Sequence, residues 1–122
     1  NDIILLGQIE NPYPFFKNAK LFVHTAKYEG LPTVLLESLA FGMPVVAYDC
    51  PTGPKDILGG NSEYGELIPL NDKDMFVEKV YELINNNEKY ENYKKISLIR
   101  ADDFSMESNK AKLKELIENT NF

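Results

Sequence analysis

Pro32-Thr33-Val34-Leu35-Leu36-Glu37-Ser38-Leu39-Ala40-Phe41-Gly42-Met43-Pro44-Val45-Val46-Ala47-Tyr48 holds a helix, a stop and a strand in one unbroken run. A proline near the first turn suits a helix start, because its missing N–H would have no partner there anyway. Gly42 stands where a helix C-terminal cap belongs, and Pro44 prevents the helix from resuming. Val45–Tyr48 is then a short, uninterrupted apolar run, the pattern of a strand buried on both faces.

The same grammar extends in both directions. Leu21–His24 reads as a strand, and so does Ile3–Leu6, which is β-branched at its start and ends in Gly7. Gly65–Ile68 is a weaker fourth strand. Asn11-Pro12 and Pro14 open a short helix over Pro14–Asn18, another covers Pro54–Leu58, and Gly59-Gly60 turns the chain. Beyond Asn71/Asp72, Phe76, Val80, Leu83 and Ile84 form one helical stripe that stops in Asn85-Asn86-Asn87. A second helix is expected over Glu88–Ala101. A third starts at Ser105 and carries Met106, Leu113, Leu116 and Ile117 on one face. Strands alternating with helices predict an α/β fold: a Rossmann-like three-layer unit with four parallel strands. Residues 1–70 form its β/α part and residues 71–122 its C-terminal helices. In such sheets ligands bind beyond the carboxyl ends of the strands. Here those ends lead into Gly7–Glu10, Thr25–Leu31, Asp49–Gly53 and Pro69–Asn71.

Composition narrows the function. The chain has 122 residues, with 13 Lys+Arg against 19 Asp+Glu, a net charge of −6. That length fits one domain whose core needs no staples. An acidic chain whose one arginine is Arg100 is badly equipped to grip a nucleic-acid backbone, so no nucleic-acid partner is expected. A single cysteine, Cys50, excludes an internal disulfide framework and a cysteine-rich zinc site, and a single histidine, His24, excludes a histidine cluster. No apolar run approaches the ~20 residues of a membrane-spanning helix, and no signal peptide opens the sequence. The chain begins with Asn1 and runs almost at once into Ile3–Leu6, so it reads as a piece of a longer protein.

Glu29-Gly30-Leu31-Pro32-Thr33-Val34-Leu35-Leu36-Glu37 is the candidate site. Gly30 is expected to adopt positive φ and let the backbone approach a ligand, and Pro32 to fix the first helical turn. The free N–H groups of Gly30, Leu31 and Thr33 would then make an anion site at the positive end of the helix dipole, without a basic side chain. Glu37 lies one turn beyond Thr33, and helical side chains lean toward the N-terminus, so its carboxylate reaches back toward the same point. Glu29 approaches from the loop. Two carboxylates flanking an anion hole suit a nucleotide sugar, with phosphate in the middle and hydroxyls at both ends. The bland reading is that both glutamates are simply solvated, and spacing alone does not separate the two.

Tyr28-Glu29-Gly30-Leu31-Pro32…Glu37 followed by Ala40-Phe41-Gly42-Met43-Pro44-Val45-Val46 resembles the nucleotide-sugar half of retaining GT-B glycosyltransferases, specifically the family 4 (group 1) type with its Glu-x7-Glu signature. Leu5-Leu6-Gly7, Asn11-Pro12-Tyr13-Pro14 and Ala19-Lys20-Leu21-Phe22-Val23 are similar to the segment before the signature. Asp49-Cys50-Pro51-Thr52-Gly53-Pro54-Lys55-Asp56-Ile57-Leu58 is similar to a variant of bacterial capsule and surface-polysaccharide enzymes, and Tyr64-Gly65-Glu66-Leu67-Ile68-Pro69 to the last strand. The resemblance implies a partial C-terminal donor-binding domain of a hexosyltransferase-type enzyme. Its donor would be a nucleotide sugar, expected to be a UDP-sugar. Glu37 would bind the ribose hydroxyls. Glu29, the catalytic candidate, would contact the donor sugar. Gly30, Leu31, Pro32 and Thr33 would frame the diphosphate, and the Gly7–Glu10 loop would lie near the base. Transfer would retain anomeric configuration by front-face attack, with no metal and no cofactor. The acceptor, a saccharide or lipid-linked saccharide, would be held by an N-terminal domain, and Arg and Lys side chains from segments upstream of residue 1 would lie against the diphosphate. The resemblance implies a cytoplasmic enzyme peripheral to the inner face of the cell membrane. The 122-residue piece alone is not expected to transfer sugar. In the family's strand order two strands separate the first from the rest, so Ile3–Leu6 is expected to pair beside Leu21–His24 or with another chain.

Other residues admit two readings each. His24 ends a strand near the site and either bonds the sugar or phosphate or is a satisfied residue at the core's edge. Lys27 supplies charge to the phosphate or is solvated. Thr52 and Gly53 line the pocket as the start of another helix. Cys50 reads as a packing thiol, because no base stands beside it in sequence. Asp72-Lys73-Asp74 reads as a dipole-complementing helix start and not a metal motif, and Lys110, Lys112 and Lys114 as a solvated face. The competing function is a non-catalytic nucleotide-sugar-binding or interaction module. A Rossmann oxidoreductase lacks support, since no G-x-G-x-x-G follows any strand.

Overall fold

A computed structural model describes residues 2–120, so Asn1, Asn121 and Phe122 of the expected domain lie outside the described residues. The order is α1 (Tyr13–Asn18), β1 (Phe22–His24), α2 (Thr33–Ala40), β2 (Val45–Asp49), α3 (Pro54–Leu58), β3 (Glu66–Pro69), α4 (Lys73–Asn85), α5 (Asn87–Asp102) and α6 (Met106–Asn119). The three strands form one parallel sheet in the order β1-β2-β3. Phe22 pairs with Val45 and His24 with Ala47; Val46 pairs with Glu66 and Asp49 with Pro69.

The central strand explains its own sequence. Val45 and Ala47 face Leu35, Leu39, Ile57 and Leu58 on one side. Val46 and Tyr48 face Ile68, Phe76, Leu83 and Tyr93 on the other. Both faces are buried, so the strand has no polar alternation. α2 and α3 therefore cover one face and α4 the other, while α5 lies along α2 and α4 and contributes to both clusters. Gly42 takes φ +66° just after α2, and the Met43 N–H reaches back to the Ser38 carbonyl at 3.0 Å, closing the helix as its sequence predicts.

Arg100 has a structural task. Its guanidinium donates to the carbonyls of Asp56 (2.7 Å) and Ile57 (2.8 Å) at the end of α3 and pairs with Asp103 at 2.9 Å. It also stacks on Tyr64 and Phe104. A guanidinium at the negative end of a helix satisfies carbonyls that have no partner within it.

Several expectations are corrected. The sheet has three strands among the described residues, and Ile3–Leu6 is not one of them; it has no regular secondary structure, its side chains are exposed, and it does not pair with β1. An apolar run becomes a strand only where a neighbour takes its backbone groups, and this one has none here. Pro32 lies outside α2 as its N-cap, with an extended ψ of 91°, so the first turn begins at Thr33. Ile84 is half exposed although Phe76 and Leu83 are buried, and no residue of α6 is buried; Met106, Leu113, Leu116 and Ile117 stay exposed.

Candidate functional site

Glu29 is held at two points. β1 ends in His24, which is 8% exposed and fixed by its register with Ala47. Its Nε2 lies 3.1 Å from Glu29 Oε1. A carboxylate only accepts hydrogen bonds, so Nε2 carries the proton. Nδ1 is buried with no partner among the described residues. The Glu29 carbonyl accepts from the Thr52 hydroxyl, which joins the β1–α2 loop to the β2–α3 loop. Gly53 completes that junction. It has φ +96°, and a Cβ there would stand 2.5 Å from the Gly30 carbonyl oxygen and collide with Pro32, so only glycine lets the two loops meet.

The start of α2 is open. Pro32 has no side-chain cap bond, and among the described residues the N–H groups of Gly30, Leu31 and Thr33 donate to nothing, whereas Leu35 N–H already bonds the Pro32 carbonyl at 3.0 Å. Leu31 and Thr33 are exposed and Glu37 is half-buried one turn further on. Gly30 is corrected: its φ is not positive, and a Cβ there would meet nothing within 4 Å. Its small size leaves space above the helix start without being needed for the backbone turn.

The remaining candidates divide. Thr52 and Gly53 are brought to Glu29 and Pro32. Lys27 is exposed and forms no ion pair among the described residues. Gly7 has φ +66° in open space, and no contact gathers it to the site. Cys50 is a buried packing thiol whose Sγ lies 3.6 Å from the Thr52 carbonyl. Asp72 is the N-cap of α4, accepting from Met75 N–H at 3.0 Å. Lys112 and Lys114 stay on an exposed helix face, bonding the Asp103 carbonyl and Glu118. A surface cavity of about 480 Å³ lies elsewhere, lined by Pro14, Phe15, Asn18 and Ala19.

Sequence reading missed a second acidic cluster. Glu66, buried at the start of β3, pairs with Lys89 and accepts from the Tyr93 hydroxyl at 3.2 Å. Lys89 also bonds Glu82 at 3.0 Å, and Lys79 bonds Glu82 at 2.9 Å. Burial works against the Lys89 charge, but its bonds to Glu66 and Glu82 outweigh it and hold its pKa above the ordinary 10.5. Bonds from Lys79 and Lys89 hold Glu82 below 4.5. Burial, reinforced by the Glu66 carboxylate, pushes the Tyr93 phenol well up. The (i, i+7) spacing of Glu82 and Lys89 across a helix break was the only trace of this cluster in the sequence.

The chain is similar to known glycosyltransferases in sequence and in fold. An uncharacterised glycosyltransferase of Methanocaldococcus jannaschii is 43% identical over 58 residues, 48% of this chain and 14% of that protein. The Campylobacter jejuni N-acetylgalactosamine-N,N'-diacetylbacillosaminyl-diphospho-undecaprenol 4-alpha-N-acetylgalactosaminyltransferase is 28% identical over 102 residues, 84% of this chain and 28% of that protein. This chain thus spans between about a seventh and about a quarter of the length of these curated relatives. A mutant of Staphylococcus aureus TarM, solved in complex with Fondaparinux, alpha-GlcNAc-glycerol and UDP, superposes with a TM-score of 0.80 at 28% identity, over 96% of this chain and 24% of that one. The α/β class is therefore that of the C-terminal Rossmann-like domain of GT-B glycosyltransferases. The family model described as "Glycosyl transferases group 1" matches residues 1–98, and the chain belongs to that family.

Proposed function

We propose that this chain is the nucleotide-sugar-binding half of a retaining glycosyltransferase of family 4. The observation that carries the reading is the open N-terminus of α2, where among the described residues the N–H groups of Gly30, Leu31 and Thr33 donate to nothing, with Glu29 in the loop before it and Glu37 one turn further on. Backbone N–H groups at the positive end of a helix favour a diphosphate. Glu37 takes the ribose hydroxyls and Glu29 a hydroxyl of the donor sugar. A UDP-sugar is the preferred donor, supported by the UDP in the complex of the similar TarM structure.

The chemistry follows from that arrangement. The bond from the anomeric carbon to the diphosphate oxygen breaks, and the acceptor hydroxyl attacks from the same face, so configuration is retained. Negative charge grows on the departing diphosphate. The N–H groups of α2 stabilise it in place, without reorganisation, while the carboxylates fix the donor sugar and ribose. No residue described here holds a metal or cofactor in this scheme. The acceptor is a saccharide or lipid-linked saccharide of bacterial surface polysaccharide synthesis, a class supported by the undecaprenol-linked substrate in the Campylobacter relative's name. A cytoplasmic enzyme held at the inner face of the membrane fits such an acceptor; no helix among the described residues is long and apolar enough to cross a membrane.

The test is calorimetry on the full-length enzyme with UDP, GDP and ADP, repeated on Glu37→Ala. UDP should bind most tightly, and the substitution should weaken it about tenfold, the scale of one hydrogen bond to a charged group. Equal binding by the two proteins would overturn the role given to Glu37.

A further inference from the structure

We propose that His24 is a positioning residue for Glu29, fixing one carboxylate oxygen so that the other is presented to the donor sugar. The inference rests on the reading that Glu29 contacts that sugar. Its warrant is the way the pair is mounted. Glu29 belongs to a loop with no regular backbone pairing, and an unrestrained glutamate loses rotamer freedom when it binds. Here that cost is met before the ligand arrives. His24 is the last residue of β1; its backbone is set by the ladder with Ala47, and its ring lies 6.3 Å from Phe22, tilted 30° to it. The imidazole is buried and meets Glu29 Oε1 from the core side, while the glutamate side chain is 31% exposed. Glu29 Oε2 takes no hydrogen bond among the described residues. The Thr52 hydroxyl holds the Glu29 carbonyl, so the residue is pinned through backbone and side chain at once.

Orienting a polar group through a second, buried partner is a general way to make a binding group precise. The arrangement also accounts for the histidine. A satisfied histidine at the edge of a core would have partners for both ring nitrogens, whereas here Nδ1 has none. An unpaired buried nitrogen is costly, and its retention beside a well-made Nε2 bond points to the Nε2 contact as the one that matters.

Three variants of the full-length enzyme test this: His24→Leu, His24→Gln and Glu29→Ala, together with the His24→Leu/Glu29→Ala double variant. Leucine fills the buried space without a donor. Glutamine places an amide N–H near the position of Nε2. The expected result is that His24→Leu lowers kcat for sugar transfer about tenfold while UDP affinity by calorimetry stays unchanged, since the diphosphate and ribose are held elsewhere. His24→Gln should restore most of the rate. The double variant should transfer no more slowly than Glu29→Ala alone, because His24 acts through Glu29. Wild-type turnover by His24→Leu beside an impaired Glu29→Ala would overturn the proposal and leave the site intact. An equal loss in His24→Leu and His24→Gln, or a parallel loss of UDP binding, would reduce His24 to a packing role. Full activity in Glu29→Ala would overturn the underlying reading of the site itself.

Discussion

Glu29 follows the carboxyl end of β1 and Glu66 opens β3, so in a parallel sheet they stand at opposite edges, and their surroundings differ accordingly. Glu66 is buried, and the Lys89 ammonium and the Tyr93 hydroxyl both meet its Oε1. Glu29 is partly exposed, with one oxygen on His24 and the other free. Around Glu66 lysines balance the acids. Around Glu29 the positive field comes from unsatisfied backbone N–H groups, and Lys27, the nearest lysine in sequence, is unpaired in solvent. The contrast separates a buried acid paired with a lysine, which ties α4 and α5 to β3, from a partly exposed one held by a histidine beside the open start of α2.

Four perturbations would sharpen or break that contrast. The largest effect is expected from Glu29→Ala, which should lower sugar transfer about 100-fold, or about 2.7 kcal/mol at 1.36 kcal/mol per tenfold, while stability falls by only about 1 kcal/mol as His24 Nε2 loses its acceptor. Steady-state rates and a thermal melt check both halves; a large drop in Tm would erase the distinction drawn here. Next is Glu66→Ala, which should do the reverse. Removing one partner of a fully buried pair costs about 3–5 kcal/mol, and because Lys89 keeps Glu82 and is a quarter exposed, about 2 kcal/mol is expected in denaturant unfolding, with UDP affinity intact.

Tyr93→Phe is smaller. It removes hydrogen bonds to Glu66 and the Ser62 carbonyl while keeping the ring, and should cost about 1 kcal/mol in the same unfolding measurement. The smallest effect is the pH dependence of the lysine cluster. Glu82 is depressed in the folded state, so its contribution is present above its ordinary value of 4.5 and is lost as pH falls through the lower folded pKa. Lys89 is raised, so its contribution is complete below 10.5 and is lost as pH rises through the higher folded pKa. Between these limits the cluster's contribution is flat. Comparing Tm against pH for the wild type and Glu82→Gln should therefore show curves that converge at acid pH. The gap should be a few tenths of a kcal/mol, since the Glu82 side chain is 36% exposed and solvent screens its ion pairs.

The site was more legible than the sheet edge. Glu29, Gly30, Thr33 and Glu37 declare themselves because their spacing and the helix start are local properties of the chain, and Thr52-Gly53-Pro54 because its residues are a helix opening. The turn at Gly42 was equally local. Ile3–Leu6 misled because a strand is defined by its neighbour, and four apolar residues in sequence do not say whether one is present. Gly30 misled differently: glycine permits positive φ without requiring it, and here Gly53 takes that conformation, forced by Pro32 and the Gly30 carbonyl across the junction. The Lys89–Glu66 pair lay beyond reading, since the two residues are 23 positions apart and meet only when α5 packs on β3.

By itself, then, the sequence determined the β/α alternation, the continuous apolar centre at Val45–Tyr48 and the carboxylate pair around the start of α2, because each depends on residues within a few turns of one another. The tertiary structure alone decided which groups were left over. It gave Arg100 to the end of α3, Lys89 to Glu66, and His24 to a single oxygen of Glu29. Partner choice among charged and polar side chains is made by packing across long sequence separations. An acidic chain with one arginine therefore meets a diphosphate, in the function proposed here, with backbone N–H groups, while its guanidinium serves the fold.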